Sequence, residues 1–377
     1  MFDLTFVGST TILNGLGVLS IFFIVVGILI NKSKPTKKQH FKKPIIIFYL
    51  GLLINLIIMY FANNISIYDS IFSMLNFLGF LLYFFLHKYK FDKNTLLKTT
   101  LFFAGIVSLL MIIQQINPDS LLFNQLLTHE TFVGNRGVVR VRIPGMAFVV
   151  ISCFFLFYKF IRKNKLISFA FFIMFFGVIF IQGFRSITIS MLLCIFFIYW
   201  KEHKETIISI RNIFRLVLIA VGIFGILQID YINNLFNQLL ITTISDSENL
   251  ENNIRLETWQ YYMHDIKPNL LSYFTGSGLR LPFETPEKLF AVDLGIFGFY
   301  SLAGIIPTFA ILWIIFKGLF IKIDKEFIFI STFFLYLLIN SFLFNAEAFR
   351  TGIFLILSIC LYFVDLMKTE QISNTEE

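Results

Sequence analysis

The sequence predicts an all-α protein, a polytopic transmembrane helix bundle of about eleven spans (range roughly 10–12) with one large extracytoplasmic loop. Three observations predict it. The 377 residues are 57% hydrophobic and 18% aromatic, with only 14% charged and a mean hydropathy of +0.80, far from the balance of a soluble globular domain. Fifty-one phenylalanines help fill repeated apolar runs of about 17–22 residues, the length a helix needs to cross roughly 30 Å of hydrocarbon. The basic residues gather between these runs, as topogenic charges do.

The first run, 11–30, has no basic residue before it and a dense basic cluster after it. That order is the reverse of a cleavable signal peptide, so the run is expected to stay as a span with its N-terminus outside. Further spans fall near 44–62, 69–87, 99–116, 145–161, 167–183, 187–200, 213–229, 295–316, 327–344 and 351–366. The run 187–200 is short, and it extends into flanking residues or tilts little.

Threading the chain from an outer N-terminus places 22 basic residues inside and nine outside, so the positive-inside rule is met without forcing. The two cations divide differently. Nineteen of 21 lysines lie inside, whereas seven of ten arginines lie outside: Arg136, Arg140, Arg142, Arg185, Arg255, Arg280 and Arg350. The outward lysines are Lys267 and Lys288. Lysine suits a charge that only has to stay hydrated, while arginine's planar fork suits bidentate binding of phosphate or carboxylate.

Residues 1–367 read as a single transmembrane domain that includes outer loops at about 117–144 and 230–294, followed by a short polar cytoplasmic tail, 368–377, expected to be disordered. Cys153, Cys194 and Cys360 fall within predicted spans, which argues against a disulfide framework or a cysteine zinc site. The net charge of +8 is read as topology, with no nucleic-acid partner, because no soluble basic domain carries it.

Chemistry-bearing residues concentrate on the outer side. Arg136, Arg140 and Arg142 immediately precede a span at the outer interface, where an anionic lipid head group is a natural partner and an interfacial anchor is the plainer role. Arg185 sits in the tight reversal Gln182-Gly183-Phe184-Arg185-Ser186 and either faces a polar cavity or snorkels to the surface. In the large loop, Leu256, Trp259, Tyr262 and Met263 recur at helical spacing, which predicts a helix over 254–266 lying on the membrane or over the bundle. Arg255 and Trp259 share a face of that helix, a pairing that suits a phosphate beside a sugar ring, or ordinary amphipathic packing. Gly276 and Gly278, just before Arg280, permit close backbone approach to a ligand or a neighbour. Asp293, and Glu347 beside Arg350, are carboxylates near the same surface, each a general base or an ion-pair partner. There is no P-loop, H-E-x-x-H, G-x-S-x-G or D-x-D motif, so no metal or cofactor is expected.

The run to Arg142-Ile143-Pro144-Gly145, the turn Gly183-Phe184-Arg185-Ser186, the stretch Arg255 to Trp259 with Gly276-Ser277-Gly278, and Asp293-Leu294-Gly295-Ile296-Phe297-Gly298 together resemble the O-antigen polymerase and O-antigen ligase superfamily. Within it the chain looks most like the oligosaccharide repeat-unit polymerases called Wzy. The resemblance implies a GT-C-like fold in the bacterial cytoplasmic membrane and metal-independent, inverting glycosyl transfer on its outer face. The substrate it implies is undecaprenyl-diphosphate-linked oligosaccharide, with membrane lipid, a chain-length regulator and a flippase as further partners. It carries functional arginines onto Arg140 or Arg142, Arg185 and Arg255. The catalytic set is then Arg185, Arg255 and Asp293. Arg136, Arg140, Arg142, Trp259, Gly276, Gly278, Arg280, Glu347 and Arg350 bind substrate. Ligases commonly carry a histidine just before the span that follows the large loop; Phe290 and Asp293 stand there instead, which favours polymerase over ligase. A lipid-linked oligosaccharide transporter is the alternative from another class, but transporters usually hold charges near the midplane and repeat their halves.

Overall fold

The computed structural model describes residues 11–31, 39–63, 67–116, 145–181, 185–203, 254–267, 270–279, 291–321, 325–342 and 351–376. Every regular element among them is helical. In chain order these are α1 (Thr11–Ile30), α2 (Lys42–Asn63), α3 (Ile67–Met74), α4 (Leu81–Tyr89), α5 (Lys93–Ile116), α6 (Met146–Lys163), α7 (Leu166–Ile181) and α8 (Arg185–His203). There follow α9 (Ile254–Gln260), α10 (Leu270–Thr275), α11 (Ile296–Ala303), α12 (Ile305–Phe320), α13 (Ile328–Phe342) and α14 (Thr351–Glu376). Among the described residues three stretches are long and apolar enough to cross a membrane, Lys42–Ala62, Lys93–Ile116 and Lys325–Phe342, and shorter apolar helices include Leu166–Ile181, Ile305–Phe320 and Ile353–Met367. The all-helical class therefore stands for the described residues, with helices apolar and long enough to cross a membrane.

Three local expectations change. The span at 69–87 is not one α-helix, because a 3₁₀ turn, Leu75–Phe80, separates α3 from α4. The span at 295–316 is interrupted at Gly304, whose φ of +88° belongs to no α-helix. Helix α14 continues through Glu376 rather than ending in a disordered tail. The predicted span 213–229 and the outer loop 117–144 lie outside the described residues.

Local chemistry accounts for several helix ends. Asp92 accepts from the amides of Asn94 and Thr95 at 3.0 and 3.1 Å, an N-cap for α5. Asn164, left-handed at φ 50°, closes α6 with its amide on the Phe160 carbonyl.

The chain forms two compact units, each assembled from separated stretches of sequence: 1–98 with 253–324 and 337–377, and 99–252 with 325–336. In the first, α2 lies along α12, and α14 packs on α4 and on the 3₁₀ turn. Gly51 brings α2 against Ile306 and Pro307, and Gly79 brings the turn against Phe354. Five aromatic rings, Phe48, Phe77, Phe80, Phe299 and Phe354, meet with centroids 5.0–6.2 Å apart, the offset and edge contacts that such rings prefer. In the second unit α6 packs on α7 and α8, joined by Phe157–Phe172 and Phe160–Phe169 contacts of 4.9 and 4.6 Å. The three cysteines are buried and free.

Candidate functional site

Residues 254–267 and 291–302 of the first unit fold as a short layered segment. Helix α9 forms as its periodicity predicts and ends in a π turn, Tyr261–Asp265. Its inward side is Thr258, Tyr262 and Met263. Tyr262 and Met263 pack with Ile266 and Leu294, against Phe297, Tyr300 and Leu302 of α11. Leu256 does not join that core and is 68% exposed. The segment therefore docks on protein through its C-terminal half, while its N-terminal half keeps an apolar residue outside.

This docking brings together three elements that carry sequence-nominated residues. Helix α9, bearing Arg255 and Trp259, packs on the 3₁₀ turn Ala291–Leu294, which bears Asp293. Both elements also pack on or near the start of α11. Trp259 stands edge-on to Phe297 at 5.2 Å and stays 37% exposed, which leaves ring surface available to a ligand. Gly298 admits the turn: a Cβ there would collide with the Ala291 carbonyl.

Gly276 and Gly278 lie where backbone packs on backbone. They adopt φ of +81° and +94°, and the amides of Ser277 and Gly278 donate to the carbonyls of Ser301 and Leu302 at 2.7 and 3.0 Å. The Asn55 side-chain amide donates to the Thr275 and Leu302 carbonyls from α2, and the Ser301 hydroxyl donates to the Tyr262 carbonyl. A Cβ on Gly276 would strike Leu302, and one on Gly304 would strike Thr275. These glycines serve a buried backbone seam at the α11–α12 break, and two amides that could have cradled an anion are already bonded.

Arg185 opens α8 in the second unit. Arg136, Arg140, Arg142, Arg280, Glu347 and Arg350 lie outside the described residues. Among the described residues no group of three or more His, Cys, Asp or Glu stands together.

Two features escaped the sequence. Lys267, following the π turn, is only 7% exposed, and burial pushes its ammonium pKa below the usual lysine value. At the opposite end of α2 and α12, His40, Tyr83, His87, Lys317 and Asp365 converge. Asp365 accepts from the Tyr83 hydroxyl at 2.5 Å and from the His40 amide at 3.2 Å, and it pairs with His87 at 3.1 Å. Lys317 donates to the His40 carbonyl at 2.6 Å.

No family model, curated protein or solved structure matches the chain.

Proposed function

We propose that this protein is an oligosaccharide repeat-unit polymerase of the O-antigen polymerase type, acting on undecaprenyl-diphosphate-linked oligosaccharide at the outer face of a bacterial cytoplasmic membrane. One observation carries the reading. The helix with Arg255 and Trp259 packs directly on the turn with Asp293, so a phosphate-binding cation, a sugar-stacking ring and a carboxylate are held on adjoining elements. The arginine–lysine division supports it too. The proposed topology has the N-terminus outside and the C-terminus cytoplasmic.

In the proposed reaction an acceptor sugar hydroxyl attacks the anomeric carbon of the donor. The bond from that carbon to the diphosphate oxygen breaks, the lipid diphosphate leaves, and the configuration inverts. Asp293 takes the hydroxyl proton. The Arg255 guanidinium stabilises charge growing on the departing diphosphate, which a fixed donor in a partly dry site does without a metal, and Arg185 is the second arginine that the family resemblance nominates. Arg136, Arg140, Arg142 and Arg280 gather the anionic lipid and orient the glycan. A flippase supplies the substrate and a chain-length regulator limits the product.

The test is complementation of a deletion strain with R255A, R255K, R185A and D293N variants, each quantified in the membrane fraction. Loss of long-chain polymer at normal protein level supports the assignment. Wild-type chain length in both arginine positions sinks it, and polymer made but left unattached in the deletion strain identifies a ligase instead.

A further inference from the structure

Of the two lysines assigned to the outer side, Lys267 belongs to the described residues, and its Nζ has a defined set of neighbours. A lysine this buried is nearly always paired. Its Nζ lies 4.6 Å from the Tyr273 ring centroid and 4.7 Å from that of Tyr300, with Met263 Sδ at 3.9 Å. The Tyr300 hydroxyl donates to the Tyr273 carbonyl at 2.5 Å and ties the two walls together. Ion pairs among the described residues are His87–Asp365 and Arg162–Glu326, so no described carboxylate neutralises Lys267.

An ammonium has three N–H donors. Ring faces stabilise its charge, more so when desolvated, and a thioether is a weak acceptor. Neither replaces the oxygen acceptors that water supplied, and removing an ion from water is costly unless such acceptors are regained. A caged ammonium whose donors meet no oxygen among the described residues is arranged for an oxyanion. Helix α10, three residues further on, exposes Leu270 and Phe274 at 77% and 59%. An apolar surface adjoining a cation fits a ligand with a phosphate head and a hydrocarbon tail.

We infer that Lys267, walled by Tyr273 and Tyr300, binds phosphate oxygens, and that the phosphate is carried on a lipid. The inference rests on the polymerase reading only for its outer-face placement and is tested by binding alone, so either can fail without the other.

The experiment uses the full chain purified in detergent, with a short-chain polyprenyl diphosphate and inorganic pyrophosphate as probes. The polyprenyl diphosphate is expected to bind wild type and to bind Lys267→Met about tenfold more weakly or worse, the loss of a charge-assisted hydrogen bond. Tight binding of the polyprenyl form with weak binding of pyrophosphate supports a lipid-borne ligand. Equal affinity for both assigns the site to free phosphate and overturns the lipid part. Unchanged affinity in Lys267→Met, or no binding to wild type, overturns the site. As a measurement on the unaltered protein, the polyprenyl diphosphate should protect Lys267 from acetylation by acetic anhydride, read by mass spectrometry as a several-fold drop in labelling. Undiminished labelling at saturating ligand also overturns the site.

Discussion

His87 Nε2 lies 3.1 Å from Asp365 Oδ2, with the two side chains 1% and 0% exposed. They stand 278 positions apart, and the bond fastens the end of α4 to α14. The same carboxylate accepts from Tyr83 and from the backbone ahead of α2, so one aspartate ties three helices of the first unit.

Replacing Asp365 by alanine removes the acceptor while its donors stay buried. Breaking a buried pair from one side costs about 3–5 kcal/mol, so Asp365→Ala is expected to lower membrane abundance and the melting temperature in detergent. Asp365→Asn keeps one acceptor oxygen and should fall between. An unchanged melting temperature in the alanine variant would remove the network from the account of stability.

The seam at the α11–α12 break predicts a contrast among glycines. Gly276→Ala and Gly304→Ala each place a Cβ on backbone atoms at positive φ, a backbone conformation that alone costs an L-residue about 1–3 kcal/mol. Both variants should express poorly. At Gly105 and Gly177 an added methyl would meet no atom within 4 Å, and alanine there should be neutral or slightly stabilising, since Gly costs a helix interior about 1 kcal/mol relative to Ala. Equal damage at all four sites, read by in-gel fluorescence of a fusion, would contradict the seam.

Helix positions were legible because a run of phenylalanine, leucine and isoleucine about 20 residues long has few other uses. The interruptions were not. Gly304 sits in a mostly apolar run with Pro307 three residues on, and both glycine and proline are common in membrane helices, so the break shows only in the φ of +88° and in the Thr275 carbonyl packed against it. The α9 helix and its packing residues Tyr262 and Met263 followed from spacing, whereas Leu256 kept the same spacing and stayed exposed because α9 docks by its later turn. Gly276 and Gly278 signalled close approach correctly, but not whether to a ligand or to Leu302. His87 and Asp365 each fall at the end of a predicted span, and nothing local marks two such polar residues as partners.

Lys267 gives a pH dependence whose sign follows from its surroundings. Oxyanion binding requires the charged ammonium. Burial lowers its pKa below the ordinary 10.5, so binding is complete below the lowered value and is lost as pH rises through it, earlier than for an exposed lysine. The groups facing Nζ are the Tyr273 and Tyr300 rings and Met263, with His264 and Asp265 on the preceding turn. Titrating polyprenyl diphosphate affinity from neutral pH to 10.5 should show the decline before the upper limit. Flat affinity across that range would assign the ligand to arginine alone, which keeps its charge throughout.

The last prediction separates a binding lysine from a structural one. If the two tyrosine rings fully compensated the buried charge, removing it would lose their attraction, and Lys267→Met would melt at a lower temperature. The desolvation cost of several kcal/mol exceeds the roughly 2 kcal/mol that ring faces return, so a methionine of similar shape should raise the ligand-free melting temperature by a few degrees. The usual conflict between a functional site and stability has this sign. Adding polyprenyl diphosphate should then reverse the order, because ligand stabilises only the form that binds it. A ligand-free Lys267→Met that melts below wild type would place Lys267 in the packing of α10 against α11.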